Sequence, residues 1–202
     1  MNKLIKTLIR VLITIAIIFT ALVVILRFLG PADVIVLTEE EEKQQKQQEI
    51  EQYKNTNLKG FKAKDLNGKE ITSDIFSKYK LTMINIWNTG CGPCIEEMPE
   101  IEKLYEDLPK DTNIISICTD AGDSKKDLDF AKEIMKMTGA KFTTLIPDEF
   151  LKRNLTDDVQ AFPTTIFVDS EGKAVGTPHF DEQTAKAYEK SIIDRLKLVE
   201  AK

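Results

Sequence analysis

With 202 residues, 42% of them hydrophobic and 30% charged, the chain is long enough for one domain with a real core and too apolar for a disordered protein. Three cysteines are too few for a scaffold held together by disulfides. The net charge of −5 hides an asymmetry: residues 1–30 hold Lys3, Lys6, Arg10 and Arg27 and no acid, which leaves −9 on the remainder and argues against nucleic acid as a partner.

In chain order, the first element is an apolar run from Val11 to Leu26, interrupted only by Thr14 and Thr20. As a helix it spans roughly 24 Å, slightly short of a ~30 Å hydrocarbon core but workable with local thinning. It is apolar all round, so it is not a buried helix of a soluble domain. A cleaved signal peptide would end in small residues; this run ends in "VVILRFLG", and no cysteine follows that could take a lipid. The expectation is an uncleaved transmembrane signal anchor over residues 1–30. Lys3, Lys6 and Arg10 outweigh Arg27, which keeps the N-terminus cytoplasmic and puts the rest outside the cell membrane, where disulfides form. Residues 31–57 form a Glu/Gln/Lys-rich linker. Its pairs Glu39–Lys43 and Glu42–Lys46 have the order that supports a solvated helix, whole or partial.

Residues 58–202 alternate between strand and helix patterns. "FKAKDLNGKEIT" reads as a hairpin turning at Asn67-Gly68. "LTMINIW" (81–87) and "NIISICT" (113–119) are short apolar runs suited to buried strands. Between them, apolar residues at 95, 98, 101, 104, 105 and 108 mark one helix face. A second helix runs from a cap at Asp123 or Ser124 to Gly139. "KFTTLIP" and "TTIFVD" follow as strands, "KAVGTPH" suggests an edge strand, and residues 182–198 suggest a closing amphipathic helix. This order indicates an α/β sheet.

The stretch "WNTGCGPCIEEMP" holds Cys91 and Cys94. Such a pair is a structural disulfide, half of a zinc site, or a redox couple. A bridge closing so short a loop removes little unfolded-chain entropy. A zinc site needs a second ligand pair, and Cys118 and His179 are not spaced as one. Placed between a strand and a helix, the pair reads as redox-active. A thiolate at a helix N-terminus meets unpaired N–H groups and the positive end of the dipole, so its pKa falls. Cys91, ahead of the helix, is then the exposed nucleophile and Cys94 the resolving thiol. Gly92-Pro93 makes the turn, with Pro93 suited to the first helical position, where no N–H is needed. Pro99, inside the helix, should kink it. Cys118 reads as a buried inert thiol, His179 as an exposed loop residue, Trp87 as packing beneath the cysteine loop, and Met135 and Met137 as helix core and edge.

"INIWNTGCGPCIEEMPEIEKLY" (84–105) and "FPTTIFVDSEGKAVG" (162–176), in that order, resemble the thioredoxin-like proteins, and more narrowly the membrane-anchored thiol–disulfide oxidoreductases of the TlpA/ResA type. The resemblance covers about residues 58–198. It implies a thioredoxin fold, a mixed central sheet flanked by helices. It implies that Pro163 is cis and faces the cysteines, and that Phe162 offers its backbone to an extended substrate. Glu97 matches a family glutamate that could shuttle a proton to or from Cys94; it is equally a helix-N-terminal Glu favoured by the dipole. Two positions depart from thioredoxins: Asn85 stands where they keep a buried Asp, and Gly90 where they have Trp, leaving a more open rim. The resemblance further implies protein disulfides as substrates, with apocytochrome c as one candidate, and a membrane electron carrier of the CcdA/DsbD type. No cofactor or metal ion is called for. The rival readings are a disulfide-forming oxidase and a non-enzymatic metal-binding protein. A thiol peroxidase is weaker, because no P-x-x-x-T-x-x-C arrangement surrounds any cysteine.

Overall fold

The computed structural model describes residues 19–20 and 39–201. Apart from Phe19 and Thr20, the expected anchor lies outside the described residues, as does the first part of the linker. Among the described residues no helix is long and apolar enough to cross a membrane. The chain divides into two compact units, Met1–Gln44 and Gln45–Lys202. What is described of the first is helical: residues 19–20 and the opening of helix α1 (Glu39–Lys54).

The second unit takes in α1 from Gln45 onward. Tyr53 is buried there, its ring 5.9 Å from that of Phe180, and Gln52 donates to the Asp158 carbonyl at 3.1 Å. The packed core thus begins ahead of the boundary at 58 that composition suggests. A lone aromatic in a charged run gives no periodic signal.

Six strands form one mixed sheet in the order β2–β1–β5–β4–β3–β6. They are β1 (Lys62–Asp65), β2 (Glu70–Thr72), β3 (Leu81–Trp87), β4 (Thr112–Cys118), β5 (Thr143–Ile146) and β6 (Thr164–Asp169). β3, β4 and β5 run parallel, while β6 pairs antiparallel with β3 and β1 antiparallel with β5. The β1–β2 hairpin turns at Gly68, whose φ of 85° a side chain would resist. The helices are α2 (Gly92–Glu106), α3 (Lys125–Thr138), α4 (Glu149–Asn154) and α5 (Ala185–Glu200). Ser124 caps α3 through its hydroxyl, and Gly139 ends it in the left-handed conformation.

β3 and β4 are buried along their whole length because both sheet faces are covered. Alternation then sorts their side chains. Leu81, Met83 and Trp87 join Met98, Ile101, Ile134, Tyr188 and Ile192 in a core beneath α2, α3 and α5. Ile84 and Ile86 face the other way, into a core with Leu58, Phe61, Phe76 and Leu151. Asn85 shares the parity of Met83 and Trp87, which puts this polar side chain under α2. That second face is covered by α4 and by a 3-10 helix (Ser73–Lys78), both too short to give a helical pattern in the sequence. "KAVGTPH" is not a strand: it meets its neighbours through isolated bridges, Val168 with Ala174 and Thr165 with His179. The Pro at 178 and the left-handed Gly176 break the ladder.

Candidate active site at the start of a helix

β3 ends at Trp87, and the chain turns at once into α2. The turn is held from within by Cys91 N–H donating to the Asn88 carbonyl at 3.2 Å and Gly90 N–H donating to Asn88 Oδ1 at 2.9 Å. It is held from outside by Asp120, two residues past the end of β4. Its carboxylate accepts from the Thr89 N–H at 3.0 Å and from the Thr89 hydroxyl at 2.6 Å. Cys91 is the N-cap residue of α2, and its sulfur accepts from the Cys94 N–H at 3.2 Å. Pro93 sits in the first turn, where its missing N–H costs nothing. No acidic residue occupies that turn to oppose a thiolate.

Cys91 and Cys94 are joined in a disulfide, with S–S 2.02 Å and Cα–Cα 5.3 Å. Cys91 is 9% exposed and Cys94 fully buried, while Gly92 and Pro93 lie open to solvent. Cys91 is thus buried in the disulfide and not exposed as expected, though it is the more open of the two sulfurs. The chain stays helical through Pro99, which leaves the Ile95 carbonyl without its usual N–H donor. The Phe162–Pro163 peptide is cis and Pro163 is buried. The pairing of Ile86 with Thr164 brings Pro163 to the end of β3 from which the cysteine loop departs. Phe162 is half-buried and packs against both cores. Trp87 is fully buried and donates its indole N–H to Ser116 Oγ at 3.2 Å. A cleft of about 900 Å³ opens beside Thr89 and Gly90, with Phe130 of α3 on its other wall.

Glu97 lies three residues beyond Cys94, on the same face of α2. It is 3% exposed, so the sheet covers it where a solvated helix-start glutamate would be open. Its Oε1 accepts from Asn85 Nδ2 at 2.7 Å; its Oε2 accepts from the Gln183 N–H at 3.1 Å and the Tyr188 hydroxyl at 3.0 Å. Burial pushes the carboxyl up to about 7 from an ordinary 4.5, against those three hydrogen bonds. Asn85, where thioredoxins keep an Asp, is thus the amide donor to this carboxyl.

Cys118 lies beside Trp87 in the sheet, fully buried, with its thiol donating to Asp120 Oδ1 at 3.2 Å. Burial pushes its pKa far above the usual thiol range. His179 is not an exposed loop residue. It is half-buried, its backbone is paired with Thr165, its Nε2 is 3.0 Å from Ser191 Oγ, and its ring packs edge-on against Phe167 and Tyr188. Burial pushes its pKa down. The bridge to β6 draws it inward.

Asp120, Thr165 and Tyr188 carry no motif. Their role comes from sheet register and from the packing of α5. One signal was available for Tyr188: a tyrosine on a core face needs a partner for its hydroxyl. Among the described residues no group of three or more His, Cys, Asp or Glu side chains is placed to hold a metal ion.

The model of the AhpC/TSA family matches residues 55–175. A thiol–disulfide oxidoreductase ResA of Bacillus anthracis is 35% identical over 117 residues, 57% of this chain and 63% of that protein. The chain thus spans less than two thirds of that relative's length. The thioredoxin-like protein YneN of Bacillus subtilis is 29% identical over 133 residues, 65% of this chain and 74% of that protein. Among solved structures, a thioredoxin-family thiol:disulfide interchange protein of Chlorobium tepidum superposes with a TM-score of 0.58 at 19% identity, covering 70% of this chain and 97% of that one. At that identity the likeness shows the fold, a thioredoxin-like α/β fold.

Proposed function

We propose that this chain, which belongs to the AhpC/TSA family, is a thiol–disulfide oxidoreductase that reduces protein disulfides through Cys91 and Cys94. The observation that carries the reading is the Cys91–Cys94 disulfide at the head of α2, with the Cys91 sulfur capping the helix. In the reduced enzyme the same N–H and the helix dipole favour the Cys91 thiolate. That thiolate attacks one sulfur of a substrate disulfide. A mixed disulfide forms and the substrate's other sulfur leaves, taking a proton. Cys94 then attacks the Cys91 sulfur and releases the second substrate thiol. Two electrons and two protons pass to the substrate, and the enzyme is left oxidised. Glu97 takes the proton that Cys94 sheds; its burial, its place on the Cys94 face of α2 and a carboxyl poised near neutrality support this role. Pro163 and Phe162 form the edge against which an extended substrate lies, with Gly90 leaving the rim open toward the cleft below Phe130.

The finer reading follows from the N-terminal sequence and the TlpA/ResA resemblance. The domain is tethered outside the cell membrane by residues 1–30 and is re-reduced by a membrane thiol carrier of the CcdA/DsbD type; apocytochrome c is one candidate substrate. The test is the reduction potential of the Cys91–Cys94 couple in the purified protein, by equilibration with dithiothreitol or glutathione buffers and thiol trapping. A value near or below roughly −230 mV supports the reductase. A value near about −120 mV makes it an oxidant and reverses the direction. Failure of the two thiols to equilibrate with any redox buffer would remove the enzyme reading.

A further inference from the structure

The Glu97 carboxylate closes a ring of hydrogen bonds drawn from α2, β3, β6 and α5. Asn85 Nδ2 reaches Glu97 Oε1 at 2.7 Å and Thr165 Oγ1 at 3.2 Å. Thr165 Oγ1 and the Tyr188 hydroxyl are 2.9 Å apart, and Tyr188 is 3.0 Å from Glu97 Oε2. With Glu97 ionised, only one placement of hydrogens satisfies every contact. Tyr188 spends its single hydrogen on Glu97, so it accepts from Thr165; Thr165 has then spent its own, so it accepts from Asn85. Asn85 thereby uses both amide hydrogens. All four residues are buried, so none of these bonds has water as a ready substitute.

This ring is built for a carboxylate. Glu97 Oε2 already accepts from two donors, so a proton arriving there displaces one, and Oε1 has only the site that Asn85 leaves open. Asn85 Oδ1, buried and without a hydrogen-bond partner, is the acceptor held in reserve: turning over the amide presents it to a protonated Glu97. We infer that Tyr188, oriented by Thr165, is a positioning residue that holds Glu97 ready to accept the Cys94 proton. The inference rests on the proton-transfer role given to Glu97 above.

The titratable groups around Glu97 are few. On its own helix Cys94 lies one turn back. From the segment before α5, Glu182 opposes its ionisation. From α5 comes Tyr188, itself pushed far up by burial and by the Glu97 charge. The neighbours on β3 and β6, Asn85 and Thr165, do not titrate. His179 meets Tyr188 only edge-on, and burial keeps it toward the neutral form.

The experiment is a single-turnover reaction of the reduced full-length protein with an aromatic disulfide between pH 5 and 9, following the second thiol released as Cys94 resolves the mixed disulfide. In the wild type this step rises with a midpoint near 7, where Glu97 ionises. Glu97→Gln should lack that limb. Tyr188→Phe removes one donor to the carboxylate, so the midpoint should move alkaline by about one pH unit. Thr165→Val should move it the same way by less. A lost limb in Glu97→Gln with an unmoved midpoint in Tyr188→Phe overturns the positioning role and leaves Glu97 its own. A limb that survives Glu97→Gln overturns the Glu97 reading, and this inference with it. If Tyr188→Phe does not fold, the Thr165→Val midpoint decides: unmoved, it overturns the inference.

Discussion

Replacing Glu97 by Gln should flatten the pH dependence of stability in the oxidised protein. The folded carboxyl is pushed from 4.5 to about 7, chiefly by burial. A raised carboxyl pKa means that the folded state holds a proton the unfolded chain has already released. Stability from this group is therefore fully present below about pH 4.5 and is lost as pH rises through about 7. At 1.36 kcal/mol per unit, the shift corresponds to about 3 kcal/mol across that window. Gln cannot titrate. Its amide meets the donors of Asn85, Gln183 and Tyr188 poorly, which adds a constant offset and no slope. The assay is urea unfolding of both proteins, disulfide intact, at constant ionic strength between pH 4 and 8. All other titrating groups cancel in the difference. Wild-type stability should fall relative to the variant by about 3 kcal/mol on going from pH 4 to 8. A difference constant to within about 0.5 kcal/mol would refute the argument that desolvation dominates at this carboxyl.

Cys94→Ser should accumulate a mixed disulfide between Cys91 and a substrate protein, visible as a reducible adduct by non-reducing electrophoresis and mass spectrometry; the same adduct from Cys91→Ser would exchange the roles of the two thiols. Asp120→Ala strips the acceptor from the Thr89 N–H, the Thr89 hydroxyl and the Cys118 thiol, and should cost about 2 kcal/mol in urea unfolding, with faster amide exchange at Thr89. Unchanged exchange there would show that the loop is held by its own turn. Cys118, buried and with its pKa pushed upward, should resist maleimide in the native oxidised protein and take one label after denaturation. Rapid native labelling would mean that the end of β4 opens readily.

Much of this protein is legible from local pattern. The largely apolar runs ending at Trp87 and Cys118 mark strands covered on both faces. Helix α2 shows in its apolar spacing, α3 in its Ser124 cap and Gly139 stop, and the β1–β2 turn in Asn67-Gly68. Each signal is short-range, because periodicity, capping and turn geometry act within a few residues. The strand–Cys–Gly-Pro–Cys–helix order belongs to the same class: a thiol at a helix head is a local electrostatic fact.

Other features needed the assembled sheet. Composition made Tyr53 part of a linker, and the neighbouring Pro178 made His179 a loop residue, yet both are drawn inward, Tyr53 by the distant Phe180 and His179 by its bridge to Thr165 on β6. The sequence by itself determined the cysteine pair, its place before a helix and the alternation that points Asn85 to the same face as Trp87. Only the tertiary structure decided that Glu97 is buried beneath α2 and that Thr165 and Tyr188 close a hydrogen-bond ring around it. The reason is physical. A carboxyl takes its protonation from the solvent it loses and the donors it gains, and here those donors come from β3, from the segment before α5 and from α5 itself, up to 91 residues away in the chain.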